Sequence, residues 1–262
     1  MGENGVVSYL PSFRLDGKVV MVTGASRGLG RHVALAAAEA GADVAVVARG
    51  AENLEEVAGL IAGMGRGALC VSADVSDVAD VRRAVGAVVG RFGRIDVLVN
   101  NAGTNVQQSA VDVTEEAWDG IMGLNAKGAF FTAQAVGRRM IEGGYGGRII
   151  SVASQMAEVG FYKRAAYCAS KGVLVQFSKV LAIEWAPHGI RVNCVGPTFI
   201  DSPLAREMFA DPEIEREALG RIPIGRLGRM EEVAAGVVYL ASDGADLVTG
   251  HHLLLDGGWT TW

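Results

Sequence analysis

A doubly wound parallel α/β sheet with helices on both faces is the fold this sequence predicts, and three observations predict it. Short β-branched runs alternate with longer Ala-rich segments of helical period. Those runs are continuously apolar rather than alternating, as expected of strands covered by helices on both sides. The first run passes directly into a Gly-rich turn and then a helix, the local plan of a nucleotide-binding βα unit. With 262 residues, half of them hydrophobic, the chain fits one large domain, 1–262, better than two small ones.

The elements follow in order. KVVMVT at 18–23 is the first strand, followed by the turn Thr23-Gly24-Ala25-Ser26-Arg27-Gly28-Leu29-Gly30 and a helix over 28–40. Strands at 43–48 and 68–73 alternate with helices over 51–64 and 77–92. The strand at 95–100 leads to a single long helix over 114–142, and those at 147–153 and 190–195 flank a helix over 165–186. A helix over 230–241 and a strand at 252–256 close the series. Asp77 and Thr114 stand where helix N-caps are expected. One segment breaks the rhythm: 198–228, with Pro203, Pro212 and Pro223. So long a connection is uncommon unless functional, and it reads as a short helical lid over a substrate pocket, a subunit contact being the alternative.

Composition narrows the function classes. A net charge of −5 offers no basic field for nucleic acid or an anionic membrane surface. Cys70, Cys168 and Cys194 are odd in number and widely spaced, which argues against a disulfide framework or zinc site and fits a reducing cytoplasm. His32, His188, His251 and His252 form no His-Glu-x-x-His motif, so no metal is expected. The N-terminal residues lack a basic n-region and a long apolar stretch, and no apolar run approaches the roughly 18 residues of a membrane helix. A soluble protein is expected.

The Gly-rich turn carries the first functional signal. Glycines there allow a tight turn and a close approach to a pyrophosphate, and the following helix supplies oriented N–H groups. Strand, turn and helix together predict a dinucleotide site. At the end of the second strand, where a carboxylate would accept hydrogen bonds from the adenosine ribose, the sequence reads Val47-Ala48-Arg49. Arg49 and Arg27 could instead pair with a 2′-phosphate, which favours NADP(H) over NAD(H); either arginine could also be an ordinary surface charge. Asp74 and Asn101-Ala102-Gly103 fall at carboxyl ends of strands, the ligand edge of such sheets.

The second signal is Ser154, Tyr167 and Lys171. Tyr167 and Lys171 are four residues apart, so one helix face carries both. A phenol has a reference pKa of about 10, and an ammonium one turn away is expected to lower it towards the working range of an acid/base catalyst. Ser154 would donate a hydrogen bond.

Taken together these motifs resemble the short-chain dehydrogenase/reductase family over nearly the full length: Thr-Gly-x-x-x-Gly-x-Gly at 23–30, Asp74-Val75, Asn-Asn-Ala-Gly at 100–103, Asn125, Ser154, Tyr-x-x-x-Lys at 167–171 and Asp-Gly-Gly at 256–258. The resemblance implies a single Rossmann domain with seven parallel strands, usually a homotetramer, moving hydride between NAD(P) and a carbonyl or alcohol. It implies Tyr167 as acid/base, Lys171 lowering the tyrosine's pKa and holding the nicotinamide ribose, Ser154 orienting the substrate oxygen, and Asn125 holding a water that links Lys171 to solvent. It also implies a cofactor lining of Gly24, Ser26, Arg27, Gly28, Leu29, Gly30, Arg49, Asp74, Val75, Asn101, Ala102, Gly103, Tyr167, Lys171, Pro197, Thr198 and Ile200. One departure stands out. Similar members read Pro-Gly after the sixth strand, whereas this chain has Gly196-Pro197-Thr198, which puts a side chain beside the expected nicotinamide.

Residues following the catalytic ones are the substrate candidates: Asn105 and Gln107, Gln155, Met156 and Glu158, Phe161, and Phe199 to Leu204. Their amides and carboxylate suit a polyol, and the tail Asp256 to Trp262 resembles those of sugar-acid and polyol dehydrogenases in the family. A 3-oxoacyl-thioester reductase is the alternative, with Arg138, Arg139 and Arg164 as the available basic residues for an acyl carrier. A non-catalytic dinucleotide-binding regulator is the distant one, since both Tyr167 and Lys171 are present.

Overall fold

A computed structural model describes residues 9–202, 205–206, 209 and 211–262. Seven strands, β1 (Val19–Thr23), β2 (Asp43–Ala48), β3 (Ala68–Ser72), β4 (Val97–Asn100), β5 (Gly147–Val152), β6 (Ile190–Pro197) and β7 (His252–Leu255), form one sheet in the order β3-β2-β1-β4-β5-β6-β7. Every pairing is parallel. The chain winds outward from β1 to β3, then returns to β4 on the other side of β1. The direction reverses between β1 and β4, and a cleft opens there at the carboxyl ends of the strands.

Both faces are covered, which explains the continuous apolar runs. Val20, Val22, Val44 and Val46 pack with α1 (Gly28–Glu39) and with the helix Met230–Ala241 on one side. Val19, Met21, Ala45 and Val47 pack on the other with α3 (Val78–Phe92), α5 (Ala129–Gly143) and α6 (Ala165–Trp185). α2 (Ala51–Gly63) buries Leu54, Val57 and Ile61 beside β2 and β3. Each such side chain, fully buried, contributes about 1.5–3 kcal/mol.

The long helix expected over 114–142 is divided. α4 (Glu115–Met122) runs into a π-helical turn, Gly123–Gly128, before α5 begins. Gly128 ends the turn against the loop after β3, where a Cβ would lie 2.6 Å from the Val75 carbonyl, so glycine alone fits there. That widened turn carries Asn125 to the interior. The caps are where the sequence placed them: Asp77 accepts from Ala79 N at 2.8 Å and Thr114 from Ala117 N at 3.2 Å.

The insertion after β6 is pinched at its base. Asp201 N donates to the Gly228 carbonyl at 2.8 Å, and Gly228 N to that of Phe199 at 2.9 Å. Inside it α7 (Pro212–Gly220) starts on an Asp211 cap, and α8 (Met230–Ala241) follows. An aromatic cluster, Phe161, Phe199, Phe209 and Trp259 with ring centroids 5.4–5.8 Å apart, anchors the segment to the C-terminal tail. Pro203 and Leu204 lie outside the described residues. No helix among the described residues is long and apolar enough to cross a membrane.

Candidate active site

The Gly-rich turn is built against β4. Gly24 has φ +65°, and a Cβ on it would stand 2.8 Å from Ala102 Cα. Thr23 Oγ1 accepts from the backbone N–H groups of Asn101 and Ala102 at 3.0 and 3.1 Å. The Asn101 amide in turn donates to the Thr23 and Gly24 carbonyls at 3.0 and 3.2 Å. Asn101 therefore holds the turn in shape with its side chain. Gly30 is packed so closely on Gly24 and Asn101 that any Cβ would overlap them.

Beyond the turn the N-terminus of α1 is open. Its N-cap, Arg27, makes no side-chain cap bond, and no acidic residue occupies the first turn. Gly28, at φ +56°, faces free space. Uncapped N–H groups at the positive end of a helix dipole fit a pyrophosphate. Ser26 and Leu29 flank this opening, Leu29 packing on the core. Arg27 and Arg49 are both exposed. Asp74 accepts from Ser76 Oγ and N at 2.7 and 2.9 Å; those bonds, with help from the Arg49 charge, hold its carboxyl below the usual range. Val75 is buried beside it.

Across the cleft, Ser154 lies two residues past the end of β5, at the N-cap of a 3-10 turn, and Tyr167 and Lys171 lie on α6. Ser154 Oγ accepts from Met156 N at 3.1 Å, which leaves its proton free to donate. Lys171 is almost fully buried, and its Nζ donates to the Val152 carbonyl at 2.7 Å while lying 5.6 Å from the Tyr167 ring centroid. Burial pushes the Lys171 ammonium down to about 8, opposed weakly by Cys194. The Tyr167 phenol moves the other way from the expectation. Desolvation raises it, and the Ser154 hydroxyl and the Arg164 charge offset that only in part. The lysine points past the ring to a carbonyl, so the ammonium does not win against burial.

Asn125 is saturated. Its Oδ1 accepts from Thr104 N at 2.8 Å, and its Nδ2 donates to the Thr104 carbonyl at 2.9 Å and to Ser170 Oγ at 3.0 Å. These bonds tie the π-helical turn to the loop after β4 and to α6. A Cβ on Gly103 would stand 3.3 Å from Asn125 Oδ1 and 3.7 Å from Lys171 Nζ, so that glycine lets both side chains approach one point of the loop.

A cavity of about 240 Å³ lies beside Ser154 and Tyr167, lined among others by Asn105, Gln107, Gln155, Met156, Thr198 and Phe199. Gln155 is 1 % exposed, and neither its amide oxygen nor its nitrogen has a hydrogen-bond partner. Leaving such a group unpaired costs about 1–3 kcal/mol, and Gln155 stands in the lining of this cavity. Thr198 Oγ1 is likewise buried and unpaired, and Ile200 completes that wall after Pro197. Two candidates fall elsewhere. Phe161 belongs to the aromatic cluster and lines a neighbouring cavity with Tyr162 and Cys168, and Glu158 is engaged by His252. Arg164, named with Arg138 and Arg139 as a basic residue available to an acyl carrier, is buried and lines both cavities. No cluster of three or more His, Cys, Asp or Glu among the described residues could hold a metal ion.

Comparison with known proteins extends this geometry. A family model described as enoyl-(acyl carrier protein) reductase matches residues 24–260. A D-threitol dehydrogenase of Mycolicibacterium smegmatis is 45% identical over 252 residues, covering 95% of each chain. A short-chain type dehydrogenase/reductase structure from Mycobacterium marinum superposes with a TM-score of 0.86 at 42% identity, covering 95% of this chain and 97% of that one. A gluconate 5-dehydrogenase from Burkholderia cenocepacia, in complex with NADP and tartrate, gives a TM-score of 0.92 at 35% identity and covers 95% and 98%.

Proposed function

The chain belongs to the short-chain dehydrogenase/reductase family, and we propose that it moves hydride between a nicotinamide dinucleotide and a carbonyl or secondary alcohol of a sugar, sugar acid or polyol. The observation that carries the substrate class is Gln155. A buried amide with an unpaired donor and an unpaired acceptor beside Ser154 and Tyr167 complements hydroxyl groups, each of which both donates and accepts. The polyol and sugar-acid names of the similar proteins support the same reading. The acyl-thioester alternative gains less. Arg164 is buried in the pocket wall, and Arg139 pairs with Glu142, so these do not form a docking patch for an acidic carrier.

The residues present fit the cofactor. The uncapped N-terminus of α1 with Gly24, Ser26, Arg27, Gly28, Leu29 and Gly30 would hold the pyrophosphate, while Asp74, Val75, Asn101, Ala102, Gly103, Pro197, Thr198 and Ile200 line the cleft. Arg27 and Arg49, exposed and without a carboxylate at the end of β2, favour NADP(H), with NAD(H) possible; the NADP in the gluconate 5-dehydrogenase complex agrees. A bound nicotinamide supplies or accepts the hydride. Tyr167 gives a proton to the substrate oxygen or takes one from it, Ser154 donates a hydrogen bond to that oxygen, and Lys171 holds the ribose. Asn125, its side chain fully engaged, would fix the backbone that carries the relay water.

The whole chain acts as one catalytic domain with 198–228 as its lid, in the cytoplasm and as a homotetramer. Val173, Val180 and Ile183, exposed along one face of α6, supply an apolar surface for assembly. The test is NADP⁺- and NAD⁺-dependent oxidation of a panel of tetritols, pentitols and sugar acids, with 3-oxoacyl thioesters in the reverse direction. Turnover of hydroxylated substrates with NADP⁺ is expected; turnover of the thioesters alone would contradict the reading.

A further inference from the structure

The turn that presents Ser154 is fastened to the far edge of the sheet by a pair of side chains with no part in binding. Ser154 is followed by a single 3-10 turn, Gln155–Ala157. That turn's Met156 N–H fixes the Ser154 oxygen at 3.1 Å, so the direction of the serine hydroxyl depends on how the turn is held. On its upstream side the anchor is backbone: Ala153 N donates to the Val195 carbonyl at 2.8 Å. On its downstream side Glu158 N and Val159 N close on the Gln155 carbonyl at 2.9 and 3.2 Å, and the Glu158 side chain leaves the turn altogether. Its Oε1 lies 2.7 Å from Nδ1 of His252, 94 residues away on β7.

Several features mark this contact as built into the fold. The His252 side chain is 7% exposed, and as a carboxylate only accepts, Nδ1 carries the proton. Its other nitrogen, Nε2, is buried without a partner, a cost of about 1–3 kcal/mol that a solvent-facing histidine would escape. The ring lies over Gly196, where any Cβ would overlap Nε2. Cys194 is paired with His252 in the β6/β7 register, so the ring fills the space two residues further along β6. Gly196 opens the departure noted in the sequence, Gly196-Pro197-Thr198, and the opposite wall of the pocket, with Thr198, Phe199 and Ile200, grows from it.

We infer that Glu158 and His252 are positioning residues: their hydrogen bond, admitted by Gly196, clamps the Ser154 turn to β7 and so sets the direction of the serine hydroxyl relative to Tyr167. The inference rests on the reading of Ser154 as the group that orients the substrate oxygen. Reacting groups displaced by about 1 Å lose up to about 100-fold in rate, which is the scale on which a loosened turn acts. Neither side chain lines the cavity beside Ser154, so substrate contacts stay in place when the clamp is cut.

Glu158→Ala, Glu158→Gln and His252→Asn test it, the last two keeping an acceptor or a donor near its original position. Steady-state kinetics, cofactor binding and amide hydrogen exchange of the peptide covering 153–160 are measured on each. For Glu158→Ala, kcat falls about tenfold or more, cofactor affinity is unchanged, and exchange in 153–160 accelerates about tenfold. Glu158→Gln stays within about twofold of wild type on all three readouts, as expected where the hydrogen bond and not the charge is what matters. The inference is overturned if Glu158→Ala leaves kcat and exchange unchanged, if Glu158→Gln is as impaired as Glu158→Ala, or if cofactor affinity falls in parallel with kcat. Should the wild-type protein turn over none of the hydroxylated panel, the functional reading fails while the exchange data still decide whether the clamp exists.

Discussion

Lys171 shows how much a single residue gives up for its position. Its burial, which brings the ammonium down to about 8 from 10.5, is a cost to folding wherever the lysine is charged in both states. Between those two values the unfolded chain binds more protons than the folded one, so stability rises with pH across that window, by about 3 kcal/mol in all. Below pH 8 the penalty is fully present. Lys171→Met removes it and leaves the Val152 carbonyl unpaired, at about 1 kcal/mol. The variant is therefore expected to be inactive yet about 2 kcal/mol more stable than wild type at pH 7, with the gap closing as pH approaches 10. Denaturant unfolding at several pH values checks this. At this scale the sequence was most legible in identity and least in environment. The spacing of Tyr167 and Lys171 placed both on one helix, but the raised phenol depends on the desolvating atoms around it, and the pairing of Glu158 with His252 on 94 residues' separation leaves no local trace.

Among the elements, strands and most helices are readable because their signals are local. β1 is apolar up to its terminal Thr23 and β2 after its initial Asp43, and alternate residues serve the two faces, Val20 and Val22 against Val19 and Met21. The π-helical turn is not readable in the sequence; its last residue, Gly128, packs on the Val75 carbonyl, in a segment some fifty residues earlier. The insertion at 198–228 is legible in the sequence, while its anchoring is not: Trp259 in the tail meets Phe161 and Phe199 at 5.8 and 5.6 Å. Trp259→Ala should cost about 3–5 kcal/mol and loosen the wall that Phe199 gives to the pocket. The expected kinetic signature is a raised substrate KM with cofactor KM nearly unchanged, measured by varying each in turn; an equal rise in both would mean that the aromatic cluster supports the whole cleft and not the 198–228 insertion alone.

For the molecule as a whole, the topology puts the turn after β1, the loop after β4 and the serine after β5 on one edge of the sheet, and the switch in winding between β1 and β4 opens the cleft they share. The doubly wound parallel plan is legible from the alternation of runs, whereas the order of the strands and the place of the switch come from the structure. Assembly of subunits belongs to the same scale. The exposed stripe of Val173, Val180 and Ile183 lies on α6, whose inner residues carry the site, so association there would brace the catalytic helix. If α6 carries the proposed tetramer contact, Ile183→Asp is expected to lower the mass found by light scattering and the melting temperature; an unchanged mass would place the interface elsewhere.

The central claim is that the Tyr167 phenol handles the proton of a hydride transfer. Alcohol oxidation by wild type and Tyr167→Phe, at saturating NADP⁺ from about pH 7 to 10, tests it most directly. Because burial raises the phenol's pKa, the wild-type rate should climb through that range as the phenolate forms, and Tyr167→Phe should be slower by about 100-fold or more, with no such climb and with cofactor binding intact. A phenylalanine variant that turns over at the wild-type rate, with the same dependence on pH, would contradict it.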